Sequence, residues 1–430
     1  MAGQRTNQIS GKPMAYPLSK DWNRTYADVV LEAGVNLQPG QDLSVSAPIE
    51  AAPFVRAVVA AAYARGARYV DLLWRDAWTE RARLDHSLQD HLDYLDTYQV
   101  DGMTRIMERG GARLVIQGDD PRALEGVDGG AKARVDRALR TATRRYSELG
   151  IGHKVNWCGV AWPTAGWASA VFPGGDPASA QRQLAEEIGT IMRLDRPDPA
   201  AAWKEHVISL ARRAEWMNSR RFKLLHYQGH GTDCRIGLAP GHIWETARAT
   251  AANGVTGIVN LPTEEIYTAP DWRAADGVIR SSRPLVYRGM DVGNLELQLR
   301  DGRIVSASAD RNNAVFQGWL DVDQRARHLG EVALVAESSP LARIRHAFGV
   351  VLYDENAGAH IAFGRAYPRT IQGGPDMDEA GLLAAGANVS MTHIDFVLGS
   401  AELRVTGETA DGDRITIMDA GEFAGELAEL

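Results

Sequence analysis

Several residue types and sequence patterns are scarce or missing in this chain of 430 residues. It has only two cysteines, Cys158 and Cys234, in separate segments and without a CxxC spacing, which excludes a disulfide framework and a thiolate zinc cluster. No apolar run approaches the roughly 18 residues of a transmembrane helix. The polar first 20 residues also lack the apolar core of a secretory signal. We therefore expect a cytoplasmic protein with no membrane partner.

The charge pattern and the missing motifs exclude further classes of protein. The net charge is −8 and there is no basic tail, so we expect no nucleic-acid partner. The chain has no GxGxxG or Walker loop to bind a nucleotide, and no HExxH motif of the common helical zinc proteases. It also lacks a GxSxG motif or a Cys/His arrangement. If the protein is a hydrolase, an activated water is therefore the natural attacking group.

The first half of the chain alternates between short apolar runs and helical stretches. Helical spacing of apolar residues occurs over 53–65, and a second helical stretch with basic residues on its outer face covers 132–149. The intervening runs, rich in Val and Leu, suit buried strands and lie at 42–47, 69–74, 112–117 and 154–161. This βαβα order predicts a largely parallel sheet with helices on both faces.

The pattern changes after two further helical stretches, at 178–193 and 199–220. Short alternating strands then dominate, and the Asp-Gly pairs at 301–302 and 411–412 are strong hairpin signals. This texture is typical of an α+β domain with a mainly antiparallel sheet.

The predicted organisation is therefore a flexible N-terminal tail and two domains. We place the tail at 1–20, an α/β domain with a largely parallel sheet at 21–210, and an α+β domain with a mainly antiparallel sheet at 211–430. The boundary lies near 200–222. We expect the second domain to carry the metal site and the catalytic groups.

Acids and histidines accompany several apolar runs of the second half. His393 and Asp395 are two residues apart on a strand-like run, so both side chains point to the same face. His360 and Glu331 belong to two other apolar runs. Each group has an ordinary alternative: a surface pair, a core histidine bonded to backbone, or a capping carboxylate. Because buried carboxylates are costly without a partner, their joint occurrence at strand ends favours a divalent metal centre.

Two adjacent acids, Glu264 and Glu265, follow another strand-like run. Either one could simply cap a helix or lie in a solvated loop. The Asp354-Glu355-Asn356 triplet is more typical of a turn than of a chemical site.

Six longer motifs occur in order between 229 and 400. They are Gly-Thr-Asp at 231–233, Asn-Leu-Pro-Thr-Glu-Glu-Ile-Tyr-Thr-Ala-Pro-Asp at 260–271, Leu-Gly-Glu-Val-Ala-Leu-Val at 329–335, Leu-Tyr-Asp-Glu-Asn-Ala at 352–357, His-Ile-Ala-Phe-Gly-Arg-Ala-Tyr at 360–367 and Asn-Val-Ser-Met-Thr-His-Ile-Asp-Phe at 388–396. No single motif would be specific, but the ordered set resembles the thermophilic metallo-aminopeptidase family, often called the aminopeptidase T family.

The resemblance implies a dinuclear metal site, a homodimer and an aminopeptidase that removes N-terminal residues from short peptides or amino-acid amides. The implied ligands are Glu265, Glu331, His360, Tyr367, His393 and Asp395. Tyr367 enters on the resemblance alone, because only a nearby cation would make a phenolate available at neutral pH. Imidazoles among the ligands suit zinc or cobalt, with manganese or magnesium as further possibilities.

The role of Glu264 stays open, and two other functions remain as alternatives to an aminopeptidase. Glu264 is our candidate for the general base that carries a proton to the leaving amine, and its alternative is to position a ligand. His360, His393 and Asp395 could instead form the triad of a mononuclear iron ring-cleaving dioxygenase. Glu265 and Glu331 would then be unexplained. A non-catalytic binding protein on the same scaffold is a third reading.

Overall fold

The computed structural model describes residues 16–287 and 289–430, apart from the side chain of Ile151. Most of the predicted tail over 1–20 lies outside this described part, within which helix α1 begins at Lys20. The Ser19 side chain caps this helix by accepting a hydrogen bond from the Trp22 N–H. Among the described residues, no helix is long and apolar enough to cross a membrane.

A four-stranded parallel sheet organises the first half, which confirms the βαβα prediction. Its strand order is β2-β1-β3-β4, and all neighbouring strands are parallel. The elements of this half are α1 (Lys20–Val29), β1 (Asp42–Pro48), α2 (Ala52–Ala64), β2 (Tyr69–Arg75), α3 (Ala77–His86), α4 (Tyr98–Glu108), β3 (Ala112–Gln117), α5 (Gly129–Ala142), α6 (Arg144–Ile151), β4 (Trp157–Ala161), α7 (Ala165–Val171), α8 (Pro177–Ile191) and α9 (Pro199–Arg220).

The second half is built on antiparallel sheets, as predicted. An eight-stranded sheet has the order β14-β13-β10-β6-β5-β18-β19-β20, and a separate four-stranded sheet has the order β17-β16-β15-β9. Two small hairpins, β7-β8 and β11-β12, complete it. The elements are β5 (Phe222–Gly229), β6 (Thr232–Leu238), β7 (Arg248–Thr250), β8 (Thr256–Ile258), β9 (Ile266–Thr268), β10 (Pro270–Arg280), β11 (Leu285–Tyr287), β12 (Met290–Gly293), β13 (Leu295–Arg300), β14 (Arg303–Ala309), α10 (Asn313–Leu320), β15 (Leu329–Leu334), α11 (Val351–Asp354), β16 (His360–Gly364), α12 (Glu379–Ala384), β17 (His393–Val397), β18 (Arg404–Thr409), β19 (Arg414–Asp419) and β20 (Glu422–Phe423).

Both Asp-Gly hairpin predictions are confirmed. Strands β13 and β14 pair around Asp301-Gly302, and strands β18 and β19 pair around Asp411-Gly412. Asp301 and Gly302 have φ angles of 48° and 76°. Two successive left-handed residues are what a tight hairpin turn of this kind requires, and Gly accepts such a φ without steric cost.

The long helix α9 connects the two halves and belongs to the cores of both. Trp203 and Val207 are buried in the core around the parallel sheet. Leu210, Ala214 and Met217, further along the helix, are buried in the core around the antiparallel sheets. We therefore propose that the boundary between the two predicted domains falls within α9, close to residue 210.

One segment of the second half packs into the core of the first. Phe348, Leu352 and Tyr353 are buried there, and the indole N–H of Trp167 donates to the Phe348 carbonyl oxygen at 2.6 Å. This segment leads directly into β16, which begins at His360. The first half therefore supports the chain that enters the predicted site.

A polar contact also joins the two halves. Arg369 Nη1 donates to His153 Nε2 at 3.0 Å, and Arg369 Nη2 donates to Glu245 Oε2 at 2.8 Å. Burial, assisted by the charge of Arg369, lowers the pKa of His153 from 6.5 to about 4. His153 is therefore neutral at pH 7 and accepts the hydrogen bond from Arg369.

Substitution of Gly330 by Ala should destabilise the strand that carries Glu331. A Cβ at Gly330 would lie 2.4 Å from the Arg365 carbonyl oxygen and 2.5 Å from that of Gly364. Because backbone atoms cannot swing aside, we expect the free energy of unfolding to fall by about 1–3 kcal/mol. In the control, Gly318→Ala in α10, nothing lies within 4 Å of the new Cβ, so stability should rise by about 0.5–1 kcal/mol. Urea unfolding measures both, and equal shifts would contradict the prediction.

The second prediction concerns the pH dependence of stability through His153. Since its folded pKa of about 4 lies below 6.5, the unfolded state binds more protons between these pH values. The stabilisation is therefore fully present above pH 6.5 and is lost as the pH falls towards about 4. After allowance for solvent screening, the wild type should lose about 1–2 kcal/mol more than His153→Gln over this range. Urea unfolding at several pH values tests this, with the exposed-site variant His86→Gln expected to follow the wild type.

Candidate metal centre

Strands β15, β16 and β17 place four of the predicted site residues on one face of their sheet: Glu331, His360, His393 and Asp395. Glu331 lies opposite Ala362, which lies opposite Asp395, while His393 lies opposite Gly364. Residues opposite one another in neighbouring strands share a face, as do residues two apart on one strand. The residues between them turn to the other face, where Val332, Ile361, Phe363, Ile394 and Phe396 are buried in the core. Because side chains alternate along each strand, the acids and histidines lie on one face of the sheet and the apolar core residues lie on the other.

Five of the predicted ligands converge at this face. Glu265 Oε2 lies 3.0 Å from His360 Nε2, and Glu331 Oε1 lies 3.9 Å from the same nitrogen. His393 Nε2 lies 3.4 Å from Glu331 Oε2 and 3.3 Å from Asp395 Oδ1. The side chains form two groups whose potential ligand atoms lie within 4.8 Å of one another: Glu265, Glu331 and His360 in one, Glu331, His393 and Asp395 in the other. Glu331 belongs to both groups.

Backbone carbonyl groups orient the two imidazoles. His360 Nδ1 lies 3.1 Å from the Gly358 carbonyl oxygen, and His393 Nδ1 lies 2.6 Å from that of Arg365. A carbonyl oxygen only accepts, so each Nδ1 carries a proton and donates. In the neutral ring, Nε2 is then free of a proton and faces the acids. This is the tautomer that a metal-ligating histidine needs.

The carboxylates of the cluster repel one another. Burial raises the pKa of Glu331 well above its ordinary value, and the charges of Asp395, Glu265 and Glu355 raise it further. Burial also acts to raise the pKa of Asp395, but the charge and hydrogen bond of His393 outweigh it and lower the pKa. The charge of His360 also lowers the pKa of Asp395, so both imidazoles compensate part of the negative charge of the cluster.

The two imidazoles respond to the same acids. Burial opposes the charged form of His360, but the hydrogen bond and charge of Glu265 outweigh it and raise the pKa. Asp395 has the same effect on His393. Glu331 Oε2 is buried and has no hydrogen-bond partner among the residues that the structure describes. Mutually repelling acids, an orphaned carboxylate oxygen and two oriented imidazoles fit a divalent cation better than any other ligand.

Tyr367 lies at the edge of this cluster. Its ring centroid is 4.8 Å from that of His393 and 6.0 Å from that of Tyr267. The residue as a whole is 42% exposed. Nevertheless, burial of the hydroxyl group, followed by the charges of Glu331 and Asp395, raises its pKa well above 10. The phenol is therefore close to the acids and is protonated unless a cation lies beside it.

Glu264 does not join either metal-ligand group. Arg193 Nη2 donates to its two carboxylate oxygens at 2.9 and 3.2 Å, and His206 Nε2 lies 3.2 Å from Oε2. The Glu264 N–H donates to Asn356 Oδ1 at 2.7 Å. Burial acts to raise the pKa of Glu264, but His206 and Arg193 outweigh it and lower the pKa. The two adjacent acids therefore have different neighbours: Glu264 contacts Arg193 and His206, whereas Glu265 contacts His360.

Glu355 is a member of the acidic cluster that sequence reasoning did not assign. The predicted turn exists, since residues 355–357 form a single helical turn. Even so, burial raises the pKa of Glu355 well above its ordinary value, followed by the charges of Asp395, Glu265 and Asp354. Its position five residues before His360, inside a matched motif, was the available signal. Arg193 and His206 were also not assigned.

Comparisons with known proteins agree with this arrangement. Residues 20–423 match the model of the thermophilic metalloprotease (M29) family. Aminopeptidase T of Thermus aquaticus is 38% identical over 397 residues, which are 92% of this chain and 97% of that protein. Aminopeptidase 2 of Geobacillus stearothermophilus is 36% identical over 403 residues, which are 94% of this chain and 98% of that protein.

Two solved structures extend the comparison to the fold. Wild-type AmpT from Thermus thermophilus superposes with a TM-score of 0.89 at 36% identity, covering 95% of this chain and all of that one. A 2,5-dihydroxypyridine dioxygenase from Pseudomonas putida has a TM-score of 0.51 at 12% identity, with 96% and 100% covered, and shares the fold alone. The full-length match to the family model and the relatives of more than 30% identity confirm the predicted resemblance: the chain belongs to the thermophilic metalloprotease (M29) family.

Proposed function

We propose that this protein is a metal-dependent aminopeptidase that releases N-terminal residues from short peptides with water activated by two divalent ions. The observation that carries the proposal is the pair of three-residue groups that share Glu331. Each group offers two carboxylates and one imidazole. Relatives that align over nearly the whole chain are named aminopeptidases, which supports the same activity here.

The two groups suggest how the ions are held. Glu265, Glu331 and His360 would hold one ion, and Glu331, His393 and Asp395 would hold the other, so that Glu331 belongs to both ligand sets. When bound, such a pair supplies Lewis acidity that polarises a carbonyl and lowers the pKa of water. Imidazole ligands favour zinc or cobalt, with manganese or magnesium as alternatives. We propose Tyr367, beside His393, as a further ligand.

Two carboxylates are candidates for moving the proton. The oxygens of Glu264 are already held by Arg193 and His206, which supports the positioning alternative rather than the general base. Glu355 is a partly buried acid whose pKa is raised by desolvation and by the charges of Asp395 and Glu265. We therefore favour Glu355 as the group that passes a proton to the leaving amine, a role worth about 10²–10⁴-fold in rate.

The charge of the site also accounts for a preference for free N-termini. The acids Glu265, Glu331, Glu355 and Asp395 surround one small region, and a free α-ammonium group would be attracted to any of their charges that remain uncompensated. A blocked N-terminus would have no such attraction. We propose short peptides and amino-acid amides as substrates, and a cytoplasmic homodimer as the working form, in line with the family resemblance.

The dioxygenase alternative has weaker support. His360, His393 and Asp395 could hold one iron, and a dioxygenase shares the fold at 12% identity. That reading gives no function to Glu265, which lies 3.0 Å from His360 Nε2, or to Glu331, which belongs to both groups. A dinuclear hydrolase uses all five side chains, so we retain it as the proposed function.

The first test of this proposal is metal removal. The purified protein should contain about two zinc or cobalt ions per chain, and treatment with a chelator should abolish hydrolysis of leucine amide. Added zinc, cobalt or manganese should restore it. Elemental analysis together with an amino-acid amide panel measures both properties. One iron per chain, with no amide hydrolysis, would instead favour the dioxygenase.

A matched pair of acid variants makes this test specific to the shared ligand. Glu331→Gln should weaken the binding of both ions and reduce hydrolysis by more than about 100-fold, exceeding the usual effect of a residue outside the ligand shell. Glu296→Gln, on the half-exposed face of β13, should leave metal content and hydrolysis unchanged. Equal metal content and equal hydrolysis in the two variants would contradict the assignment of Glu331 as a ligand of both ions.

A further prediction separates the two candidates for proton transfer. Glu355→Gln should keep the metal content of the wild type and lower kcat by at least about 100-fold. Glu264→Gln should instead lower metal affinity, because the change alters the contacts of the residue directly before the ligand Glu265. Metal content and kcat of both variants decide the matter. If Glu264→Gln kept its metal but lost turnover, Glu264 would be the base instead. If Glu355→Gln lost metal, Glu355 would be a ligand rather than the group that transfers the proton.

A further inference from the structure

Two residues from the first half of the chain, Arg193 and His206, contact Glu264 in the second half and lie outside the metal-ligand set. Arg193 follows α8, and His206 lies on α9. His206 Nε2 is 2.9 Å from the Thr263 carbonyl oxygen as well as 3.2 Å from Glu264 Oε2. Because both neighbours are acceptors, this nitrogen carries a proton and donates to them. The chain at 263–264 is therefore held by two donors that come from the other side of the domain boundary.

The cation of Arg193 is itself tightly fixed. Its guanidinium carbon lies 4.0 Å from the centroid of the Trp203 ring, and the Trp203 indole N–H donates to the Met192 carbonyl oxygen at 2.9 Å. Trp203 is fully buried, and its ring meets that of His206 edge-on at 5.6 Å. Arg193 also adopts a φ of 58°. Such a left-handed backbone, which non-glycine residues adopt only at a cost, places the guanidinium over the indole.

Stability alone is a poor explanation of this arrangement. The Arg193 and Glu264 side chains are 12% and 4% exposed. Removing two charges from water costs so much that an apolar pair of similar volume is often as stable or more stable. What a buried ion pair adds is a fixed geometry. The residue that benefits from it is the next in the chain, Glu265, whose Oε2 lies 3.0 Å from His360 Nε2.

We propose that Arg193 is a positioning residue for the metal centre. By holding Glu264 together with His206, it fixes the backbone from Thr263 to Glu265 and so directs the Glu265 carboxylate towards His360 and the ion. Asn356 acts from the opposite side, since its Oδ1 accepts from the Glu264 N–H. This inference rests on the proposed metal site and adds that the first half of the chain sets the geometry of one ligand.

The test compares a single variant with a double variant in which both charges are gone. Arg193→Met leaves Glu264 buried without its cation, so both stability and zinc affinity should fall, the latter by about 10–100-fold. In Arg193→Met/Glu264→Met no charge is left unpaired, and the stability should return. Zinc affinity should stay at least about 10-fold below the wild type, because nothing directs Glu265. Urea unfolding and competition titration of the metal-free proteins with zinc give the two readouts.

We expect the double variant to regain stability while its zinc affinity stays low. If zinc affinity returned together with stability in the double variant, or never fell in Arg193→Met, the positioning role would be overturned. Lys204→Met is the control, since Lys204 lies on α9, the helix that carries His206, and pairs with Glu32 at 2.8 Å in a half-exposed position. It should leave zinc affinity unchanged. A wild type that binds zinc and hydrolyses leucine amide, with Arg193→Met equal to it, would overturn this inference alone. A wild type that does neither would overturn the proposed function.

Discussion

Repulsion among buried carboxylates is the constraint on which the second half of the molecule depends. The charges of Asp395 and Glu265 raise the cost of ionising both Glu331 and Glu355, and the two imidazoles compensate only part of the negative charge. Buried carboxylates are costly unless they are protonated or paired with a cation. We propose that the register of β15, β16 and β17, and the carbonyl groups that orient both imidazoles, serve to bind an ion as well as to hold the fold together.

Alternation along the strands lets the same short segments serve both purposes. In β17 the residues His393 and Asp395 face the acids, while Ile394 and Phe396 are buried in the core. Four of the proposed ligands therefore lie on strands whose opposite face is packed in the core, so that core packing rather than a loop fixes their backbone positions. Glu265 is the exception, because it precedes β9 at the end of a loop and depends on neighbours from the first half.

The parts of the fold and of the site that depend on residues close together in the chain could be predicted from the sequence. The period of two places His393 and Asp395 on one face, Asp301-Gly302 specifies a tight turn, and the βαβα order specifies a parallel sheet. The site residues that went unassigned depend on tertiary structure. Glu355 forms the turn that its triplet predicts and is also part of the acidic cluster. The turn-forming sequence accounts for the residue by itself, so it gave no reason to expect a second role. Arg193 and Glu264 are 71 positions apart in the chain, and only the folded structure brings them together.

The placement of α9 in both cores has a consequence for how substrates reach the site. A helix of 22 residues, about 33 Å long, joins the two halves where many two-domain enzymes have a flexible linker. Closure about a hinge at this boundary would have to bend the helix or withdraw Trp203 or Leu210 from its core. Rigid-body opening of the two halves is therefore disfavoured. For the aminopeptidase proposed above, peptides would have to reach the metal centre without such an opening.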